Sequence, residues 1–114
     1  MNLHGKTFRV LRNDGPGAEV TTDTVFHFRQ EQIGGQAIVH ADYRGGGVVM
    51  GKLVGVLEGE KMRHCYVQVN AKGELQRGSS TDELELTPEG KLRLIDRWQW
   101  ETKVGSGVCI LEEI

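Results

Sequence analysis

The sequence predicts an all-β protein, an antiparallel up-and-down meander of about eight strands that closes into a barrel. Three observations carry this reading. Apolar and polar residues alternate along most of the chain, and period two is the strand signature because successive side chains point to opposite faces. The 16 glycines interrupt that alternation at short intervals, while there are only 2 prolines. No stretch carries an apolar stripe of helical period; Glu83 to Leu86 could hold one turn, but Pro88 and Gly90 stop it. Short turns make sequential strands antiparallel, and closing the meander removes its unpaired edges. An open sandwich of two sheets is the competing arrangement.

Each segment follows from its own residues. The first runs from Leu3 to Arg12, with Phe8 and Val10 on one face, and ends at Asn13-Asp14-Gly15-Pro16-Gly17. In the second, Thr22 to Glu31, the residues Thr24, Phe26, Phe28 and Gln30 share a face. Gly34-Gly35 leads to the third, Gln36 to Arg44, and Gly45-Gly46-Gly47 to the fourth, Val48 to Leu57. Glu58-Gly59-Glu60 turns the chain into the fifth, Lys61 to Asn70. The hairpin loop Asn70-Ala71-Lys72-Gly73 precedes the sixth, Glu74 to about Glu85, and Thr87-Pro88-Glu89-Gly90 precedes the seventh. The seventh, Lys91 to Thr102, alternates most cleanly, with Leu92, Leu94, Asp96, Trp98 and Trp100 on one face. Gly105-Ser106-Gly107 separates it from the last, Val108 to Glu113.

The 114 residues amount to one domain, and 38% hydrophobic residues suffice for one core. A formal net charge of −2 with no Lys/Arg run argues against a nucleic-acid partner. The longest apolar stretch, Val48 to Leu57, contains Gly51, Lys52 and Gly55, far from the about 20 apolar residues of a membrane helix. The start of the chain shows no signal-peptide pattern, so the expected setting is cytoplasmic and non-membrane. Cys65 and Cys109 form no C-x-x-C pair and are expected to be reduced, buried and small.

Several stretches carry a family resemblance: Gly5-Lys6-Thr7-Phe8, Phe26-His27-Phe28 with Gln30, Tyr43 before the glycine triplet, and Gln68-Val69-Asn70 leading into Lys72-Gly73-Glu74-Leu75. Gly90-Lys91-Leu92-Arg93-Leu94, Trp98-Gln99-Trp100 and Glu112-Glu113-Ile114 complete it. Together they resemble a family of small bacterial proteins of uncharacterised function. The members look like calycin-type barrels, the group of the lipocalins and streptavidin, and some are labelled N-acetylglutamate synthase. The resemblance implies a calycin-like barrel over nearly the whole chain and supplies no catalytic residues. An acetyltransferase of the common type receives the cofactor pyrophosphate on a glycine-rich loop leading into a helix. This chain has neither feature.

The leading functional expectation is a small-molecule-binding module. Trp98 and Trp100 project to one face and would wall a site, together with Tyr43 and Tyr66; Gln68, Arg77 and Asp96 would orient the ligand. Alternatively the indoles only fill the core beside Leu92 and Leu94. Gln30, His64 and Ser79 are further polar residues on possible inner faces, and the inward parity of the fifth strand is open between Cys65, Val67, Val69 and His64, Tyr66, Gln68. No metal centre and no cofactor is expected. His27, His40 and His64 have no i, i+2 partner histidine, and His40 with Asp42 lacks further ligands. Adjacent His64 and Cys65 point to opposite faces of a strand. Gly45-Gly46-Gly47 reads as a hairpin, and Ser79, Ser80 and Thr81 as ordinary strand or loop residues. The other functional classes are an enzyme, and an interaction protein with a filled barrel, which would leave an outer patch around Val25, Ile95 and the fourth strand and makes a homodimer plausible.

Overall fold

The computed structural model describes residues 1–114. Eight strands, β1 (Thr7–Asp14), β2 (Val25–Ile33), β3 (Gln36–Gly45), β4 (Val48–Glu58), β5 (Lys61–Asn70), β6 (Leu75–Leu86), β7 (Leu92–Trp100) and β8 (Ser106–Glu113), form a closed barrel in sequential order. Every neighbouring pair is antiparallel, as hairpin connections require. β1 and β8 close the ring with pairs such as Val10↔Leu111 and Asn13↔Cys109, and a register shift between Val10 and Arg12 bends β1 into the seam. The sandwich alternative is thereby excluded. Glu83 to Leu86 continues as strand in β6, so the single helical turn does not form.

Strand bounds agree closely with the alternation. The main departure is at the start, where Leu3 to Lys6 precede β1 rather than belonging to it. Leu3 is nonetheless fully buried, and its N–H donates to Gln30 Oε1 (2.9 Å), so this stretch plugs one end of the barrel. At that end Phe8, Phe28, Val39, Met62, Leu84, Leu94 and Leu111 form a dry apolar core, with Phe8 and Phe28 edge to face at 5.1 Å.

The open parity of β5 is resolved by burial: Met62, His64, Tyr66, Gln68 and Asn70 point inward, while Cys65 is exposed. The expectation that both cysteines are buried therefore holds for Cys109 alone. On β6 the inner residues are Gln76, Gly78, Ser80, Asp82 and Leu84, which puts Ser79 and Arg77 outside. Placing Arg77 in the candidate site is thus corrected. Its neighbour Gly78 takes the inner position, and the guanidinium pairs with Glu101 at 3.5 Å.

Inward-facing glycines make room for the large inner side chains. Gly51 lies opposite Tyr43, and a Cβ there would overlap the phenol ring. Gly78 lies opposite Tyr66, where a Cβ would overlap the phenol and the Gln99 carbonyl, and Gly55 lies opposite His64, where it would strike the Arg63 carbonyl and the His64 Cβ. An eight-stranded barrel has just enough lumen for its side chains, so a ring on one strand needs a missing side chain on the next.

This arrangement predicts that Gly51→Ala and Gly78→Ala each destabilise the barrel by about 1–3 kcal/mol through overpacking. In a Tyr43→Ala background, Gly51→Ala should cost clearly less. Urea unfolding of the four proteins of that cycle measures the coupling, and additive losses would contradict the pairing.

Candidate functional site

Beyond the apolar core the lumen changes character. Tyr43 (β3), Tyr66 and Gln68 (β5), Ser80 (β6) and Asp96, Trp98 and Trp100 (β7) line one cavity together with Phe26, Leu53, His64 and Cys109. Six of the seven residues that the sequence proposes as ligand-binding therefore share one space, Arg77 being the exception. The indoles of Trp98 and Trp100 meet edge to face at 5.7 Å, and Tyr66 packs edge on to Trp100 at 5.6 Å. Tyr43 stacks on Phe26 at 4.5 Å. Both tryptophans are buried, so they do pack as core residues, yet they also form the cavity wall.

Several polar groups around this wall are paired. The Tyr43 hydroxyl donates to Gln68 Oε1 (2.7 Å), the Tyr66 hydroxyl to the Gln99 carbonyl (3.0 Å), and Trp98 Nε1 to Asn13 Oδ1 (2.7 Å). Burial pushes both tyrosine hydroxyls well above the ordinary phenol pKa, so they act as neutral donors. Trp100 Nε1 is buried with no acceptor, while the Lys103 ammonium stands 4.6 Å from its ring centre.

The end of the cavity is covered by the connection between β1 and β2, residues 15–24, which contributes Ala18, Glu19 and Val20 to the lining. Glu19 is the fastening. Its Oε1 accepts from Gln68 Nε2 (2.9 Å), and its Oε2 from Asn70 Nδ2 (2.7 Å) and Lys103 Nζ (3.3 Å). Burial alone would raise the Glu19 pKa, but the donors from Asn70, Gln68 and Lys103 together outweigh it and hold the carboxylate below its ordinary range. The covering segment is also tied by the Gly47 N–H, which donates to the Glu19 carbonyl (2.9 Å), and by Asn13 Nδ2, which donates to the Val20 carbonyl (2.9 Å). The triplet Gly45-Gly46-Gly47 is the predicted hairpin connection and has a second role. A Cβ on Gly46 would strike Thr21, and one on Gly47 the Glu19 carbonyl, so the missing side chains let the cover lie against the barrel.

With the cover down the cavity measures about 40 Å³. That is room for a water or two, against the roughly 300 Å³ or more typical of a small-molecule site. A molecule of that size would not fit unless some of the lining moved.

His64, Asp82 and Asp96 meet at the boundary between the apolar core and this cavity. Asp82 and Asp96 are directly opposed across β6 and β7, and His64 lies opposite Ser80 across β5 and β6. His64 Nδ1 stands 2.9 Å from Asp82 Oδ1, and His64 Nε2 stands 3.8 Å from Asp96 Oδ2. The first contact is out of line for an imidazole N–H, and neither atom has a hydrogen-bond partner. Burial raises the Asp82 pKa, with His64 opposing. Burial and then the Asp82 charge push Asp96 up to about 7. For His64, burial lowers the pKa, but the two carboxylates win and raise it. Sequence spacing could not reveal this cluster, because its members come from three strands and meet only through register. The other histidines do not converge on it: His27 Nδ1 bonds Thr7 Oγ1 (3.2 Å), His40 pairs with Glu31 (2.9 Å), and Asp42 binds Lys52.

The contributions of Ala18, Glu19 and Val20 were also beyond sequence reasoning, since a connecting segment has no alternation to orient it, and Asn13, which the sequence assigns to the turn, belongs to β1. One available signal was that residues 15–24 exceed the two-residue turns at Gly34-Gly35 and Gly46-Gly47.

Among known families, the model of the family described as avidin-like protein matches residues 1–114. No curated protein sequence and no solved structure matches the chain.

The fastening makes two predictions. Glu19→Gln should destabilise the protein by about 1–3 kcal/mol and speed amide exchange in residues 15–24, because one amide donor would then face another. The Glu19 carboxylate, with its depressed folded pKa, contributes stability that is present above the ordinary carboxylate value of about 4.3 and is lost as pH falls through the lower folded value. The stability difference between wild type and Glu19→Gln should accordingly shrink on acidification below about pH 5. A difference that stays constant down to pH 3 would remove Glu19 as the fastening.

Proposed function

The chain belongs to the avidin-like protein family, and from that premise we propose that it binds a small organic ligand, of biotin-like size and polarity, in the aromatic half of its barrel. The observation that carries this reading is one cavity. Trp98, Trp100, Tyr43 and Tyr66 supply flat apolar walls, and Asn13, Gln68, Ser80 and Asp96 supply polar atoms between them. A filled core would use apolar residues here, as the other end does with Phe8, Leu94 and Leu111. Polar side chains in the lumen cost stability unless paired, and Ser80 Oγ, Asp96 Oδ1 and Trp100 Nε1 have no hydrogen-bond partner. A compact ring bearing N–H and C=O groups would pack against the indole wall and satisfy those atoms. The carboxylate and hydroxyl acceptors favour N–H donors on the ligand, and the free indole N–H favours an acceptor. Binding would proceed by release of the Glu19 fastening, admission of the ligand, and reclosure of residues 15–24 over it.

Titration of the purified protein with biotin, and with cyclic urea and lactam fragments, tests this through tryptophan fluorescence and thermal stability. Saturable fluorescence change and a rise in Tm are expected, with about 2.7 kcal/mol of added stability at a ligand concentration of 100 times Kd. Trp98→Phe and Trp100→Phe, which keep the core filled, should each weaken binding by roughly tenfold. Unchanged fluorescence and Tm with every probe would reject the reading in favour of a filled barrel.

A further inference from the structure

We propose that His64, Asp82 and Asp96 form a binding site for a single divalent transition-metal ion, with Zn²⁺ the best fit, inside the barrel at the floor of the aromatic cavity. One ligand atom from each residue lies within 4.8 Å of the other two. The 2.9 Å approach of His64 Nδ1 to Asp82 Oδ1 is too bent for a hydrogen bond. Two ligands of a tetrahedral ion with bonds of about 2.1 Å stand about 3.4 Å apart, so the pair would open by about 0.5 Å to admit one. Asp96 Oδ2 stands 3.8 Å from Nε2, the other ring nitrogen, so the His64 ring and the Asp96 carboxylate would have to turn for all three residues to share one ion.

Charge gives an independent argument. No lysine or arginine contacts either carboxylate; their one ion-pair partner is His64. With both carboxylates ionised, even a protonated His64 leaves one excess negative charge in a nearly solvent-free lumen, which a proton on Asp96 or a bound cation would neutralise. A divalent cation bound by two carboxylates and a neutral imidazole makes the group electrically neutral. Ser80 supplies a further observation. It is buried to 6% exposure, its Oγ has no hydrogen-bond partner, and the register places it beside His64 on the same inner face. It would hold a water bound to the ion or complete the coordination. One imidazole nitrogen with two carboxylate oxygens suits zinc better than the all-oxygen shells of magnesium and calcium. His64 and Asp96 both line the cavity, so the ion's remaining position would face it.

The test uses the full chain after chelator treatment, with metal alone and no organic ligand, so its failure and that of the small-molecule reading are distinguishable. Zn²⁺ is titrated in competition with a chromophoric chelator, and Co²⁺ is titrated as a spectroscopic probe. The expected result is one ion per chain, a rise in Tm, and Co²⁺ d–d absorption of a low-symmetry site with nitrogen and oxygen ligands. His64→Gln and Asp96→Asn should weaken Zn²⁺ binding by more than about 100-fold, while His27→Ala and His40→Ala leave it unchanged. Should the buried variants fail to fold, the wild-type Co²⁺ spectrum and an NMR shift of the His64 imidazole on Zn²⁺ addition decide the matter. The proposal is overturned if wild type shows no saturable binding, if binding follows His27 or His40, or if Asp96→Asn raises Tm and leaves metal affinity intact.

Discussion

Closure of the ladder between β1 and β8 is the constraint on which the rest of the molecule depends. It removes the two sheet edges and fixes the strand number, and with it the width of the lumen. Within that width every inner side chain competes for space with those opposite. Tyr43 faces Gly51, Tyr66 faces Gly78, and His64 faces Gly55 for this reason. The glycines in the middle of β4 and β6 weaken their strands locally, and the rings they admit recover that cost through burial and aromatic contact.

The same closed tube holds two environments in series. Around Phe8, Met62, Leu94 and Leu111 it is a dry core that supplies the stability of the domain. Beyond the level of His64 and Asp82 it carries hydroxyls, amides, indoles and carboxylates that an apolar filling would make unnecessary. Glu19 binds part of this second half together, joining Gln68, Asn70 and Lys103 to the segment that covers the cavity. The polar half is thus the less economical part of the core, and its cover is held by hydrogen bonds that lie outside the barrel ladder.

Much of this was legible in the sequence. Alternation on Leu92 to Trp100 and on Thr24 to Phe28 displays the inner face directly, and the glycine-rich turns give the strand order. Those two signals suffice for the meander and for bringing Trp98, Trp100 and Asp96 to one side. β5 and β6 were ambiguous because both of their faces mix polar with apolar residues. That mixture is itself the imprint of a polar lumen, and it is why alternation leaves the inner face of β5 open and does not show that Arg77 faces outward. Illegible from the start were contacts that depend on register between distant strands, such as Asp82 with Asp96 and His64, and the path of residues 15–24. Such contacts leave no local periodicity.

The central claim is that the aromatic half of the lumen is a site rather than a filled core. Native mass spectrometry of the full chain tests it most directly, both as purified and after incubation with biotin. The account predicts a non-covalent adduct of a few hundred daltons on wild type, released by collisional activation and absent from the Trp98→Ala, Trp100→Ala double variant. The bare chain mass in every wild-type preparation, with biotin as without it, would contradict the account.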